Sequence, residues 1–137
     1  MDEETDSKPR DLGAFGALIG LRFTEKANGF SQCVLTVSEK LFNPNGVLHG
    51  GVDYSMADTG MGGALHSRLA SDETCATIEI NIVYLKAVTA GELTCETRVI
   101  RKGRNIGVLE SEVKNDGQLV AKALGTFSIL RRVMRDP

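Results

Sequence analysis

The sequence predicts an α+β domain in which one long helix packs on an antiparallel sheet of about five to six strands. Two observations carry this. From about His49 to Leu69 apolar and small residues recur with a helical period, Val52, Met56, Thr59, Gly60 and Gly63 falling on one face. After residue 72 the pattern changes to period two and stays there, through the strand candidates Thr74–Lys86, Glu92–Arg101, Ile106–Lys114 and Leu119–Leu130. A helix with one apolar stripe must bury it, and a sheet is the surface on offer, giving two layers.

The remaining elements follow in chain order. Residues 1–10 are charged without an apolar period and are expected to form a disordered tail, leaving 11–137 as a single domain. A short helix is expected over 11–18. Residues 20–26 and 30–37 form a hairpin around Ala27-Asn28-Gly29. Neither face of 30–37 is cleanly polar, so both faces are covered. Asn43-Pro44-Asn45-Gly46 is a dense turn signal ahead of the helix. Beyond the helix, Thr89-Ala90-Gly91, Lys102-Gly103-Arg104 and Asn115-Asp116-Gly117-Gln118 separate four strands read as a meander, the Asp-Gly pair marking a tight hairpin. The length of Thr74–Lys86 lets the sheet curl around the helix.

Composition narrows the function classes. The 137 residues carry a net charge of −2, with 42% apolar and 25% charged residues. This is ordinary globular usage, and it argues against wholesale nucleic-acid or membrane binding. The run Leu12 to Leu21 is too short to span a bilayer, and the acidic start is unlike a secretory signal. Cys33, Cys75 and Cys95 show no ligand or pairing spacing, so free thiols, no metal site and a cytoplasmic location are expected.

The helix start concentrates the chemistry. His49-Gly50-Gly51 leaves backbone N–H groups open at the positive end of the helix dipole, suited to a carbonyl oxygen that gains negative charge. Farther along, Gly51, Ser55, Asp58, Gly62 and His66 share a face of small residues with one carboxylate in its middle. His49 and Asp58 lie nine residues apart, about 13.5 Å along the axis and about half a turn around it. They cannot face one small reacting centre within one chain, so their cooperation requires a site at a two-fold interface. Asp53, about 140° from Asp58, is read as a surface residue.

Asn43-x-x-Gly46-x-x-His49-Gly50-Gly51 followed by Met56-Ala57-Asp58-Thr59 resembles the signature of PaaI-type hotdog acyl-CoA thioesterases. Thr77-Ile78-Glu79-Ile80-Asn81-Ile82-x-Tyr84-Leu85 is similar to the long third strand of that family. Arg101-Lys102-Gly103-Arg104 and Ala121-x-Ala123-x-Gly125-Thr126-Phe127 extend the resemblance over roughly residues 12–130. The resemblance implies a hotdog fold, with the helix wrapped by a curved sheet. It also implies a homodimer with active sites shared between subunits, usually paired again into a tetramer. In the roles it implies, Asp58 attacks the thioester or activates water, and Gly50 N–H polarises the carbonyl. Asn43 places water or thioester, His49 organises the loop and Thr77 orients the water. Arg101, Lys102, Gly103 and Arg104 contact coenzyme A, which belongs to the substrate, so no separate cofactor is implied. Tyr54, Phe15 and Met61 could line an acyl pocket or belong to the core.

Two other functions use the same fold. A 3-hydroxyacyl thioester dehydratase or hydratase pairs a catalytic His with a carboxylate, but the Pro-rich His loop of the carrier-protein dehydratases is absent here. A non-catalytic acyl-CoA-binding module is the other, and Asp58 with Thr77 argues against it.

Overall fold

Two Asx-Gly pairs set two-residue turns. Asn28 and Gly29 have φ of 54° and 82°, Asp116 and Gly117 have φ of 49° and 88°. Two successive residues at positive φ match the right-handed twist of a two-residue hairpin. The first joins β1 (Arg22–Ala27) to β2 (Phe30–Thr36), and the second joins β5 (Ile106–Asn115) to β6 (Gln118–Arg131). The computed structural model describes residues 13–133, so the charged tail over 1–10 lies outside the described residues. A short helix α1 covers residues 13–19. The long helix α2 spans Gly50–His66, followed by β3 (Glu73–Tyr84) and β4 (Glu92–Lys102).

The six strands form one antiparallel sheet in the order β1-β2-β4-β5-β6-β3. The four-strand meander predicted after residue 72 is therefore corrected. Only β4, β5 and β6 run as neighbours; β4 pairs with β2, and β3 pairs with β6 at the far edge. Thr89-Ala90-Gly91 belongs to a crossing connection, pinned by Leu48 N–H on Val88 O at 2.8 Å and Val37 N–H on Gly91 O at 2.9 Å. A β3–β4 hairpin would have put both strands at one flank of α2. The crossover instead brings sheet to both flanks, and α2 packs against all six strands.

The helix sits close to the sheet because its inner residues are small or flexible. Val52, Met56, Ala57, Gly60, Met61, Ala64 and Leu65 are buried. The N-terminal half packs with Leu21, Leu35, Leu93 and Val113, and the C-terminal half with Leu109, Phe127 and Ile129. Between the two halves, sheet hydroxyls meet helix carbonyls. Ser31 Oγ donates to Gly60 O at 2.7 Å, and Ser111 Oγ donates to Ala57 O at 3.4 Å while sharing a 2.7 Å bond with Thr97 Oγ1. These bonds satisfy hydroxyls that would otherwise be stranded in an apolar layer.

One irregularity decides which side chains of β3 face the helix. The β3–β6 register jumps between Thr77 and Glu79. Before the jump Cys75 and Thr77 stand opposite the buried Ile129 and Phe127; after it Ile80, Ile82 and Tyr84 stand opposite Gly125, Ala123 and Ala121. Partners directly opposite share a face, so a single extra residue changes the inward set from odd to even numbers. Without it, Thr77 and Tyr84 would point to opposite sides of the sheet.

The close approach makes a testable contrast. A Cβ added at Gly60 would lie 2.7 Å from Thr97 Oγ1, whereas at Gly62 nothing lies within 4 Å. Gly60→Ala is expected to lose about 1–3 kcal/mol through overpacking. Gly62→Ala is expected to be neutral or to gain up to about 1 kcal/mol from helix propensity. Chemical denaturation of the two variants side by side checks both signs.

Candidate active site

The polar groups of interest gather at two places on the helix. The first is its start. His49 is the N-cap, and its Nδ1 accepts the Gly51 N–H at 2.8 Å. This fixes the ring as the tautomer with the proton on Nε2. His49 N–H is itself tied to Leu41 O at 2.9 Å, and Val52 N–H closes on His49 O at 2.9 Å. Gly50 N–H, at the first helical position, has no intrahelical acceptor. Asn43 Oδ1 accepts from Asn45 N–H at 2.8 Å and from Val47 N–H at 3.4 Å, so its side chain shapes the turn that delivers the chain to His49.

Tyr84, to which the sequence pattern assigns no role, joins this place. Its hydroxyl donates to Gly50 O at 2.7 Å, and a Cβ on Gly50 would come within 3.0 Å of the Tyr84 ring. Glycine is required there by the close approach of the ring. Burial, then the charges of Asp53 and Tyr54, pushes the Tyr84 phenol above its ordinary value, so it stays a neutral donor.

The second place is the middle of the helix. Thr77 Oγ1 donates to Asp58 Oδ1 at 2.8 Å. Asp58 is half-buried and its helix face, with Gly62 open beside it, is uncovered in the protomer. The structure thus brings Asp58 together with Thr77, and Gly50 with His49 and Tyr84, but it keeps the two groups apart along the helix, as the nine-residue spacing required.

The predicted basic contacts lie toward the other end of the helix. Gly103 N–H bonds Ile106 O at 2.8 Å, closing the β4–β5 turn, and Arg101 and Arg104 are exposed. Lys102 faces Glu73 at 3.8 Å, where Arg131 also binds at 3.1 Å. The Ala70 N–H first, then Lys102 and Arg131, hold Glu73 below the usual carboxylate range. Arg131 further donates to Arg104 O at 2.8 Å, so this turn is tied to the sheet end. Of the residues considered for an acyl pocket, Met61 is fully buried core, whereas Phe15 and Tyr54 are exposed. Among the described residues, no group of three or more His, Cys, Asp or Glu is placed to hold a metal ion.

Asp53 is corrected by the structure. It is 4% exposed, not a surface residue, and its Oδ1 has no hydrogen-bond partner. It shares the inward stripe with Met56, Ala57 and Gly60, three, four and seven residues on. That spacing was the available signal; the general preference of carboxylates for solvent hid it. Burial pushes its carboxyl up to about 6 from 3.8.

A raised folded-state value means that the unfolded chain releases this proton first. Asp53 is therefore neutral and without penalty below about pH 4. It opposes folding increasingly as pH rises to about 6, and the full cost, at most about 3 kcal/mol, is present above that. Asp53→Asn is expected to raise stability at pH 7.5, with the gain shrinking to nothing by pH 4. Urea denaturation of both proteins across this range checks it.

Comparisons with known proteins place this geometry. Residues 45–122, more than half of the chain, match the Thioesterase superfamily. A Saccharolobus solfataricus relative named "Putative esterase SSO1253" is 35% identical over 114 residues, covering 82% of this chain and 75% of the relative. The solved structure of the conserved protein PA5202 from Pseudomonas aeruginosa superposes with a TM-score of 0.85 at 37% identity, over 88% of this chain and 98% of that one. The Haemophilus influenzae thioesterase HI1161 shares the fold with a TM-score of 0.88 at 22% identity, over 97% of this chain and 94% of that one. The helix wrapped by a single antiparallel sheet is the hotdog fold, and the chain belongs to the Thioesterase superfamily, whose members hydrolyse thioesters.

Proposed function

We propose that this thioesterase is of the PaaI type and hydrolyses acyl-CoA, working as a homodimer with two shared active sites. The observation that carries the reading is the placement of both polar groups along one edge strand. Thr77, bound to Asp58, and Tyr84, bound to Gly50, both face the helix from β3. Two copies of β3 pairing antiparallel about a two-fold near Ile80 and Asn81 would set Thr77 of one protomer beside Tyr84 of its partner. Asp58 of one subunit would then meet the Gly50 N–H of the other.

The edges of the sheet favour this assembly. β1, the other edge, is six residues long, irregular near Phe23 and charged at Arg22, Glu25 and Lys26, which are features that discourage further pairing. β3 runs for twelve residues and leaves Ile78 56%, Val83 53%, Tyr84 50% and, just past its end, Leu85 54% exposed. A long apolar edge of this kind calls for a partner strand. Pairing of dimers into a tetramer extends the same reading.

In the shared site the Gly50 N–H polarises the thioester carbonyl from the positive end of α2. Asp58 either adds to the carbonyl carbon or takes a proton from water that does so; Thr77 holds its carboxylate in place. Water and thioester give carboxylic acid and the thiol of coenzyme A, with no further cofactor. Asn43 and His49 hold the turn that presents Gly50. Arg101, Lys102, Gly103 and Arg104 offer cations and an amide turn to the CoA phosphates. Described residues contain no helix long and apolar enough to cross a membrane, and the three cysteines are unpaired; we place the protein in the cytoplasm.

Asp58→Asn, which keeps shape and removes charge, is expected to lower thiol release from acyl-CoA about a hundredfold or more without unfolding the protein. Release undiminished in that variant would remove Asp58 from the reaction, and acyl-CoA binding with no release by the wild type would leave a binding module. Sharing has its own test. Gly50→Pro, made together with Tyr84→Ala so that no ring meets the added Cβ, removes the N–H at a helical position that tolerates proline. Mixing the inactive Asp58→Asn and Gly50→Pro proteins through unfolding and refolding should restore about a quarter of wild-type activity, because half the dimers then own one intact site. A site contained in one chain would restore nothing.

A further inference from the structure

We propose that Glu73 and Arg131 are positioning residues for the coenzyme A part of the substrate. Together they clamp the turn between β4 and β5, so that Arg101 and Arg104 meet the phosphates from a fixed backbone. The inference rests on the acyl-CoA reading above and goes beyond it by naming what gives that turn its shape.

The tip of the β4–β5 hairpin has little of its own to hold it. The register between the two strands shifts between Val99 and Arg101, just before the turn. The last paired residues are Lys102 and Gly107, and Gly103 N–H then closes on Ile106 O at 2.8 Å. Arg104 and Asn105 lie beyond this pairing and are held from the end of β6. Ile129 N–H donates to Asn105 O at 2.8 Å. The Arg131 guanidinium donates from Nη1 to Asn105 Oδ1 at 3.1 Å and from Nη2 to Arg104 O at 2.8 Å. One planar group thus grips two consecutive residues of the turn.

Glu73 fixes that planar group in its turn. The two residues stand directly opposite each other across β3 and β6. Arg131 Nη2 donates to Glu73 Oε2 at 3.1 Å, and Glu73 Oε1 accepts the Ala70 N–H at 2.9 Å. The Glu73 side chain is 10% exposed, so the pair is screened less than one in open water. A continuous chain of bonds therefore runs from Ala70, in the connection after α2, through Glu73 and Arg131 to the tip.

The pairing of β4 with β5 is complete without this clamp, since it ends at Lys102 and Gly107. A phosphate site gains from it. Cations on a loose turn lose conformational freedom when they bind, and a turn already held loses less. Arg101 and Arg104 are exposed and keep their charges for a ligand. Lys102 is drawn inward, its Nζ 3.8 Å from Glu73 Oε1.

Charge and clamping predict opposite signs, which makes the proposal testable. By charge alone, Glu73 opposes anion binding and its removal strengthens it. Lysine at position 131 keeps the charge but lacks the planar fork that grips the turn. The experiment measures coenzyme A binding by calorimetry for wild type, Arg131→Lys and Glu73→Gln. Beside it runs thiol release from hexanoyl-CoA and from hexanoyl-N-acetylcysteamine, which keeps the thioester and lacks the phosphates. In both variants the Kd for coenzyme A and the KM for hexanoyl-CoA should rise about fivefold or more at unchanged kcat. For the short thioester, kcat/KM should stay within about twofold of wild type, which damage to the fold or to Asp58 and Thr77 would not allow. Unchanged binding in Arg131→Lys with tighter binding in Glu73→Gln would overturn the proposal, as would equal losses on both thioesters. If wild type cleaves neither thioester, the hydrolase reading fails and the Kd values still decide the clamp. A wild type that binds no coenzyme A overturns the clamp even where it cleaves the short thioester.

Discussion

The structure depends on how closely α2 can lie on the sheet. Gly60 touches Thr97, and Ser31 and Ser111 reach helix carbonyls directly, so the helix is held by hydrogen bonds as well as by apolar packing. That contact fixes the rotation of the helix about its own axis. Once Met56, Ala57, Gly60 and Ala64 face the sheet, Asp58 must look sideways toward β3, and Gly50 must present its N–H at the helix end near Tyr84. A larger residue at position 60 would lift the helix and loosen both arrangements together. The small residues at the centre of this chain therefore serve the chemistry by way of the packing.

Much of this was legible because the signals are local. Asn28-Gly29 and Asp116-Gly117 demand positive φ in succession, and only a tight hairpin uses that. The helix was legible from its period, with His49-Gly50 marking its start. The nine residues from His49 to Asp58 are enough to separate the two halves of the site. The resemblance named both Asp58 and Thr77, and the two are hydrogen-bonded.

What escaped the sequence is non-local or runs against a general preference. Nothing in Thr89-Ala90-Gly91 distinguishes a hairpin from a crossover, because the choice is made by strands far away in the chain. The irregularity at Thr77–Glu79 is equally silent, since Ile78 and Ile80 look like ordinary strand residues, yet it turns Thr77 and Tyr84 to the same side. Asp53 was misjudged because burial of an unpaired carboxylate is costly and therefore rare.

The crossover has a consequence for how the protein is made. β3 pairs with β6, the last of the described strands, and the intervening β4 joins β2 instead. A chain leaving the ribosome therefore exposes β3 with both edges unpaired until β6 has emerged, while β1, β2 and β4 can already close on α2. Pairings so distant in sequence form slowly, and unpaired apolar strands invite association with other chains. The strand that carries both halves of the candidate site is thus the last to be secured. A chain cut short before β6 would lose the site first and would leave its stickiest strand in the open.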